Sequence, residues 1–343
     1  MAPSSASGGE PAGTVVKTAV PSAALGRDIA CNIYLPAGYA ADDSARYIVL
    51  YLLHGRGDTL DAWLEIKPDL DRLIAAKEIP PVIAVMPDAP SSRRAGYYID
   101  SLFMGRPDDP ALPPGEAVET GLTKDLIAAV DARYRTRADR SGRIIAGYSM
   151  GGYGALRLAL AYPGLFGAAI VLSPAVYVPL PPRHSSAREF GAFGNGPALF
   201  DDAVYRERNY PALLPPFATR ILALSIFIAV GDDEYVHPEP GEHLHDLDYE
   251  AHTLYNRLRR EPLINAQLRV LNGGHGWGVW RPGFVAGLCH LLGARGGIGA
   301  TDARVREQGP VSFGIRQPGA KRPPSACWLA WRSGEHSHAA GLL

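Results

Sequence analysis

The segment Ile144-Ile145-Ala146-Gly147-Tyr148-Ser149-Met150-Gly151-Gly152 constrains this chain more than any other. An apolar run meets a glycine, a serine and a second glycine, and small residues follow. Gly-x-Ser-x-Gly carries meaning only where a strand precedes it and a helix follows. Here residues 144–146 predict a strand running into Gly147. Residues 151–161 predict a small-residue helix that stops at Tyr162-Pro163. The turn between them must be sharp and hold Ser149 in a strained backbone conformation. Side chains at positions 147 and 151 would clash with the neighbouring strand and helix. The turn lifts the hydroxyl clear of the sheet and puts a helix N-terminus beside it. The competing reading is a glycine-rich turn with an incidental serine, which the strand–turn–helix context disfavours.

Such a turn needs a sheet, and the rest of the chain supplies one. Apolar runs at 29–35, 47–53, 81–86, 168–172, 221–230 and 267–271 predict further strands, and in the first of these Ile29, Cys31, Ile33 and Leu35 share a face. Helical spacing appears over 70–77, 119–134 and 245–258. Apolar strands alternating with helices indicate the α/β class, with a mostly parallel central sheet covered on both faces. Ligands of such sheets bind beyond the carboxyl ends of the strands. The 343 residues divide into a flexible lead (1–13), one catalytic domain (14–294) with a Pro-, Arg- and aromatic-rich insertion (174–216) read as a cap, and a disordered tail (295–343).

A serine hydroxyl becomes nucleophilic when a base takes its proton. Histidine suits that role near neutral pH. In Asn272-Gly273-Gly274-His275-Gly276-Trp277, the glycines let a loop after the last strand carry His275 toward Ser149. A carboxylate should fix the imidazole tautomer. The strand at 221–230 ends in Gly231-Asp232-Asp233-Glu234-Tyr235, and spacing from the glycine favours Glu234 over Asp233 and Asp232. Acyl transfer also needs N–H donors for an oxyanion. These are assigned to the backbone N–H of Met150 and of Arg56, the latter in the loop His54-Gly55-Arg56-Gly57-Asp58. Tyr97 and Tyr98 are candidates to line a substrate pocket. Trp277 and Trp280 are read as braces for the His275 loop.

The formal net charge of −1 lacks the basic surplus of a nucleic-acid binder. No apolar run reaches membrane-spanning length. Cys31, Cys289 and Cys327 suggest neither a disulfide framework nor a zinc site. His243, His245 and Asp246 do not make a convincing metal cluster, so neither metal nor organic cofactor is expected. The N-terminus shows no secretory signal, so a cytoplasmic location is expected, or secretion if the natural leader is missing.

The segments Tyr34-Leu35-Pro36-Ala37-Gly38-Tyr39, Tyr51-Leu52-Leu53-His54-Gly55, the elbow through Tyr153-Gly154-Ala155, Tyr162-Pro163-Gly164-Leu165-Phe166 and Gly273-Gly274-His275-Gly276-Trp277 together resemble one family. It is the esterase family of α/β-hydrolases that includes esterase D (S-formylglutathione hydrolase), feruloyl esterase domains, enterochelin esterases and mycobacterial mycolyltransferases. The resemblance covers residues 15–292. It implies the α/β-hydrolase fold and serine-dependent cleavage of small-molecule carboxylic esters, with Ser149 and His275 catalytic and Met150 and Arg56 as oxyanion donors. Similar proteins often carry Asp after the histidine, where this chain has Gly276. Acyl transfer to an alcohol or sugar, or an inactive binding protein of the same fold, are the alternatives.

Overall fold

The computed structural model describes residues 12–235 and 242–293. The 295–343 tail and nearly all of the 1–13 lead lie outside the described residues. At the end of that lead, Gly13 N–H donates to Asp71 Oδ1 at 2.7 Å.

The chain enters through β1 (Thr14–Ser22) and β2 (Arg27–Leu35), then β3 (Ile48–Leu53), α1 (Lys67–Ala75) and β4 (Val82–Pro87). A two-residue strand β5 (Leu102–Phe103) precedes α2 (Val118–Thr120) and α3 (Ile127–Arg133), which are joined by a π-helical stretch (Gly121–Leu126). Next come β6 (Arg143–Tyr148), α4 (Met150–Ala161) and β7 (Ala168–Leu172). The insertion holds β8 (Asn195–Gly196), paired with β5, then α5 (Asp202–Arg208) and α6 (Tyr210–Ala218). The chain continues through β9 (Leu224–Gly231), α7 (Leu247–Leu258), β10 (Ile264–Leu271) and α8 (Trp277–Leu292).

The main sheet runs β1-β2-β4-β3-β6-β7-β9-β10. From β4 to β10 every pairing is parallel, and β2 alone runs against the other strands, pairing antiparallel with both β1 and β4. Strands β3, β4, β6, β7 and β9 are buried at every position. That is why they read as unbroken apolar runs. The pleat sends their residues to two cores. Val49, Tyr51 and Leu53 face α3, α4 and α7, and Leu50 and Leu52 face α1 and α8. This is the α/β-hydrolase architecture.

Strand β1 and helix α8 are among the elements the sequence pattern does not show. Strand β1 is an antiparallel edge whose residues are mostly solvent-facing, so it lacks the apolar signal of the inner strands. Helix α8 follows the His275 loop where only a brace was expected. It contains Pro282 and is buried along much of its length, so it shows little amphipathic contrast. Gly287 lets it close on the sheet, since a Cβ there would sit 2.9 Å from Ile170 Cγ2. Cys31 is a free, buried thiol. No helix among the described residues is long and apolar enough to cross a membrane.

The topology also locates the site. From β3 the chain goes to β4 on one side and later to β6 on the other. The order of strands therefore reverses at β3, and ligands of such sheets bind beyond the carboxyl ends of the strands at that point, here β3 and β6.

Candidate active site

Ser149 stands between β6 and α4 with φ 55 and ψ −119, in left-handed space that a non-glycine residue rarely occupies. The surrounding packing enforces it. A Cβ on Gly147 would lie 2.0 Å from Gly151 O, and one on Gly151 would lie 2.1 Å from Leu53 O. The strand, the turn and the loop after β3 therefore meet at backbone distance. Ser149 N–H donates to Leu172 O at 2.9 Å, and Ser149 O accepts from Ala175 N–H at 3.1 Å. Helix α4 is anchored from its other side by a buried ion pair. Arg157 Nε and Nη2 donate to the two oxygens of Glu119 at 2.9 and 3.1 Å, and the Tyr162 hydroxyl adds a 2.7 Å bond.

His275 Nε2 lies 2.9 Å from Ser149 Oγ, and its Nδ1 lies 2.8 Å from Glu234 Oε2. With Nδ1–H donating to the carboxylate, Nε2 is left as the acceptor facing the hydroxyl. Of the three neighbouring carboxylates, Glu234 is the one in contact with His275. Glu234 is buried at 3% exposure, whereas Asp232 and Asp233 are exposed. Asp232 serves the loop instead, because its Oδ1 accepts from Gly273 N–H at 2.9 Å while Asp233 N–H donates to Gly273 O at 3.1 Å. These contacts tie the acid loop to the base loop. They also show how the His275 loop is held with glycine at position 276.

Around His275 and Glu234 the structure adds Ser173, which the sequence reading did not single out, and gives Trp280, expected as a brace for the His275 loop, a specific partner. Glu234 Oε1 accepts from Ser173 Oγ and from Gly231 N–H, both at 2.6 Å. Trp280 Nε1 donates to Ser173 Oγ at 3.1 Å. The Trp280 ring stands edge-on to His275 at 5.0 Å and stacks on Tyr148 at 4.2 Å. Ser173 ends an apolar strand beside the elbow strand, in Leu172-Ser173-Pro174. Its place at a strand's carboxyl end is the one signal that could have marked it.

The loop after β3 is clamped from several directions. His54 is fully buried; its Nδ1 donates to Gly55 O at 2.8 Å and its Nε2 accepts from Ala89 N–H at 3.2 Å. Tyr148 donates to Asp58 Oδ2 at 2.7 Å. Burial, together with Asp58, holds the Tyr148 phenol above its ordinary pKa, so it remains a donor. Gly57 N–H donates to Arg94 O at 3.1 Å, yet the intervening Arg56 N–H donates to no carbonyl among the described residues. Met150 opens α4, so its N–H has no helical acceptor. Both candidate oxyanion donors are thus on rigid backbone next to the elbow.

The expectation that Tyr97 and Tyr98 line a pocket is corrected. Both have left-handed backbone and are buried at 2% and 0% exposure. Tyr97 packs between Tyr153 and Phe193 of the insertion, at 5.4 and 5.1 Å. Tyr98 donates to His54 O at 2.9 Å and so supports the loop after β3 from beneath. The 174–216 insertion is itself a packed aromatic unit in which Phe193 meets Tyr205 at 4.8 Å. No group of three metal-ligating side chains occurs among the described residues. His245 instead faces Glu250, with Nδ1 3.3 Å from Oε1.

A family model described as "Putative esterase" matches residues 22–291. An esterase of Mycobacterium tuberculosis is 35% identical over 150 residues, 43% of this chain and 29% of that protein. A protein of Xylanibacter ruminicola named endo-1,4-beta-xylanase/feruloyl esterase is 35% identical over 164 residues, 46% of this chain and 21% of its own length. The chain thus spans less than a third of these curated relatives. Among solved structures, a ferulic acid esterase superposes with a TM-score of 0.64 at 24% identity, covering 81% of this chain and 97% of that one. An S-formylglutathione hydrolase from Staphylococcus aureus superposes with a TM-score of 0.58 at 16% identity, covering 80% and 97%.

Proposed function

This chain belongs to the "Putative esterase" family, and from that premise we propose that it is a serine hydrolase of carboxylic esters. The observation that carries the proposal is the continuous contact from Glu234 Oε2 through His275 to Ser149 Oγ, at 2.8 and 2.9 Å. His275 Nε2 takes the Ser149 proton as Oγ attacks the ester carbonyl carbon. The carbonyl electrons move to oxygen, and the N–H groups of Met150 and Arg56 receive the charge. Each such donor is worth roughly 3–4 kcal/mol of barrier. His275 returns the proton to the departing alcohol as the C–O bond breaks, leaving an acyl-serine. Water then enters, His275 takes its proton, and collapse of the second oxyanion releases the acid and restores Ser149. Glu234 holds the imidazole in the required tautomer throughout.

The small-molecule ester itself is part of the proposal. The relative named feruloyl esterase supports including aromatic acyl groups beside simple aliphatic ones. The test is hydrolysis of p-nitrophenyl esters from acetate to long-chain acyl, with methyl ferulate alongside, for the wild type and Ser149→Ala. Turnover in the wild type that disappears in the variant is the expected result. Full activity in Ser149→Ala would refute the proposal. The acyl-length profile then measures the pocket.

A further inference from the structure

We propose that Ser173 and Trp280 are positioning residues that aim the Glu234 carboxylate at His275; this rests on the reading of Ser149, His275 and Glu234 as the catalytic set. The hydrogen-bond inventory fixes the direction of the chain. Indole Nε1–H is a donor only, so Ser173 Oγ must accept at the 3.1 Å contact with Trp280. The single Ser173 proton then goes to Glu234 Oε1, 2.6 Å away. Gly231 N–H takes a second site on the same oxygen at 2.6 Å. Oε1 is therefore held by donors on both sides, and Oε2 is the oxygen left to face His275 Nδ1 at 2.8 Å. Every link runs donor to acceptor toward the carboxylate, and a charged acceptor strengthens each bond.

Backbone strain supports the same assignment. Ser173 has φ 40, in the region where glycine is at ease and serine is not. It is fully buried, and its N–H donates to Ala229 O at 2.7 Å, which holds the strained geometry against β9. A buried hydroxyl on a strained backbone is costly unless it has a partner. Here the partner is the triad acid. Trp280 links the same point to the other two members of the site. Its ring touches the His275 edge at 5.0 Å and stacks at 4.2 Å on Tyr148, the residue before the nucleophile. One indole thus registers acid, base and elbow against each other.

The test uses the full chain with Ser173→Gly, Trp280→Phe and the double variant. Each is assayed on a p-nitrophenyl ester and normalised to serines titrated by a fluorophosphonate. Glycine accepts φ 40, so Ser173→Gly should keep the wild-type urea midpoint while kcat per labelled serine falls about 10- to 100-fold at unchanged KM, the range expected for one hydrogen bond to a charged group. Trp280→Phe removes the N–H while leaving a smaller aromatic ring in place, and should lower kcat about threefold to tenfold. Because the indole N–H acts through the Ser173 hydroxyl, the double variant should be no slower than Ser173→Gly. If the glycine variant is less stable, Ser173→Ala removes Oγ alone and carries the same expectation. Wild-type kcat per labelled serine in both Ser173 variants would overturn the proposal. Fully multiplicative losses in the double variant would overturn the relay through Ser173. A wild-type protein that is neither labelled nor active would instead refute the catalytic reading of Ser149.

Discussion

Glu250 provides a quantitative check on the physical reading of this fold. It lies on α7 at 1% exposure, and its Oε1 accepts the Val178 N–H at 2.8 Å where the insertion leaves the sheet. Burial pushes its carboxyl from 4.5 up to about 8, against the opposing effects of the Val178 bond and the Arg257 charge. Below about pH 4.5 both folded and unfolded chains hold this proton, and the contribution to stability is complete. As pH rises toward 8 the unfolded chain releases the proton and the folded chain keeps it, so stability falls by up to about 1.4 kcal/mol per pH unit. Above about pH 8 both states are ionised and the loss stops. Over that window the loss is on the order of 5 kcal/mol. Glu250→Gln keeps an acceptor for Val178 N–H and cannot ionise. Urea unfolding of both proteins at intervals from pH 4.5 to 9 measures the difference. His245 Nδ1 lies 3.3 Å from Glu250 Oε1, so both proteins are also compared in a His245→Asn background, which leaves the carboxyl as the group that differs. The variant should match the wild type near pH 4.5 and gain on it steadily up to about pH 8. Parallel stability curves across that range would refute the assignment of a buried, protonated carboxyl.

Other substitutions test the site and its supports. Glu234→Gln should lower kcat by about four orders of magnitude through loss of the correct tautomer, whereas Asp232→Asn should remain within about tenfold of wild type because Gly273 N–H keeps an acceptor; steady-state kinetics on one ester compares them. Gly151→Ala would place a Cβ 2.1 Å from Leu53 O, and should abolish fluorophosphonate labelling or lower the thermal midpoint sharply. Glu119→Gln strands the Arg157 charge at 5% exposure, and should cost about 3–5 kcal/mol in urea unfolding.

The sequence-level reading worked best where a pattern is local. The inner strands carry unbroken apolar runs because both faces are covered, so their number and order are legible without tertiary information. The elbow was equally legible, since Gly147 and Gly151 meet strand and loop backbone at near contact. Reading weakened where covering and exposure do not follow a short period. Strand β1 lies at an edge, and α8 is too evenly apolar to show a face. Tyr97 and Tyr98 sit beside the right strand end, but their left-handed backbone and the arrival of Phe193 turn them to packing and support.

By itself the sequence determined the α/β class, the turn that carries Ser149 and the two loops that carry Glu234 and His275. Each of these rests on residues adjacent in the chain, where sterics and burial act over a few positions. Tertiary structure alone decided which carboxylate meets His275 and what holds it. The contacts that choose Glu234 span 41 residues to His275 and 61 to Ser173, and the Ser149–His275 contact spans 126. Hydrogen bonds across such separations depend on strand order and helix docking. Asp232, Asp233 and Glu234 are neighbours in the chain, and only burial against β7 and α8 makes one of them different.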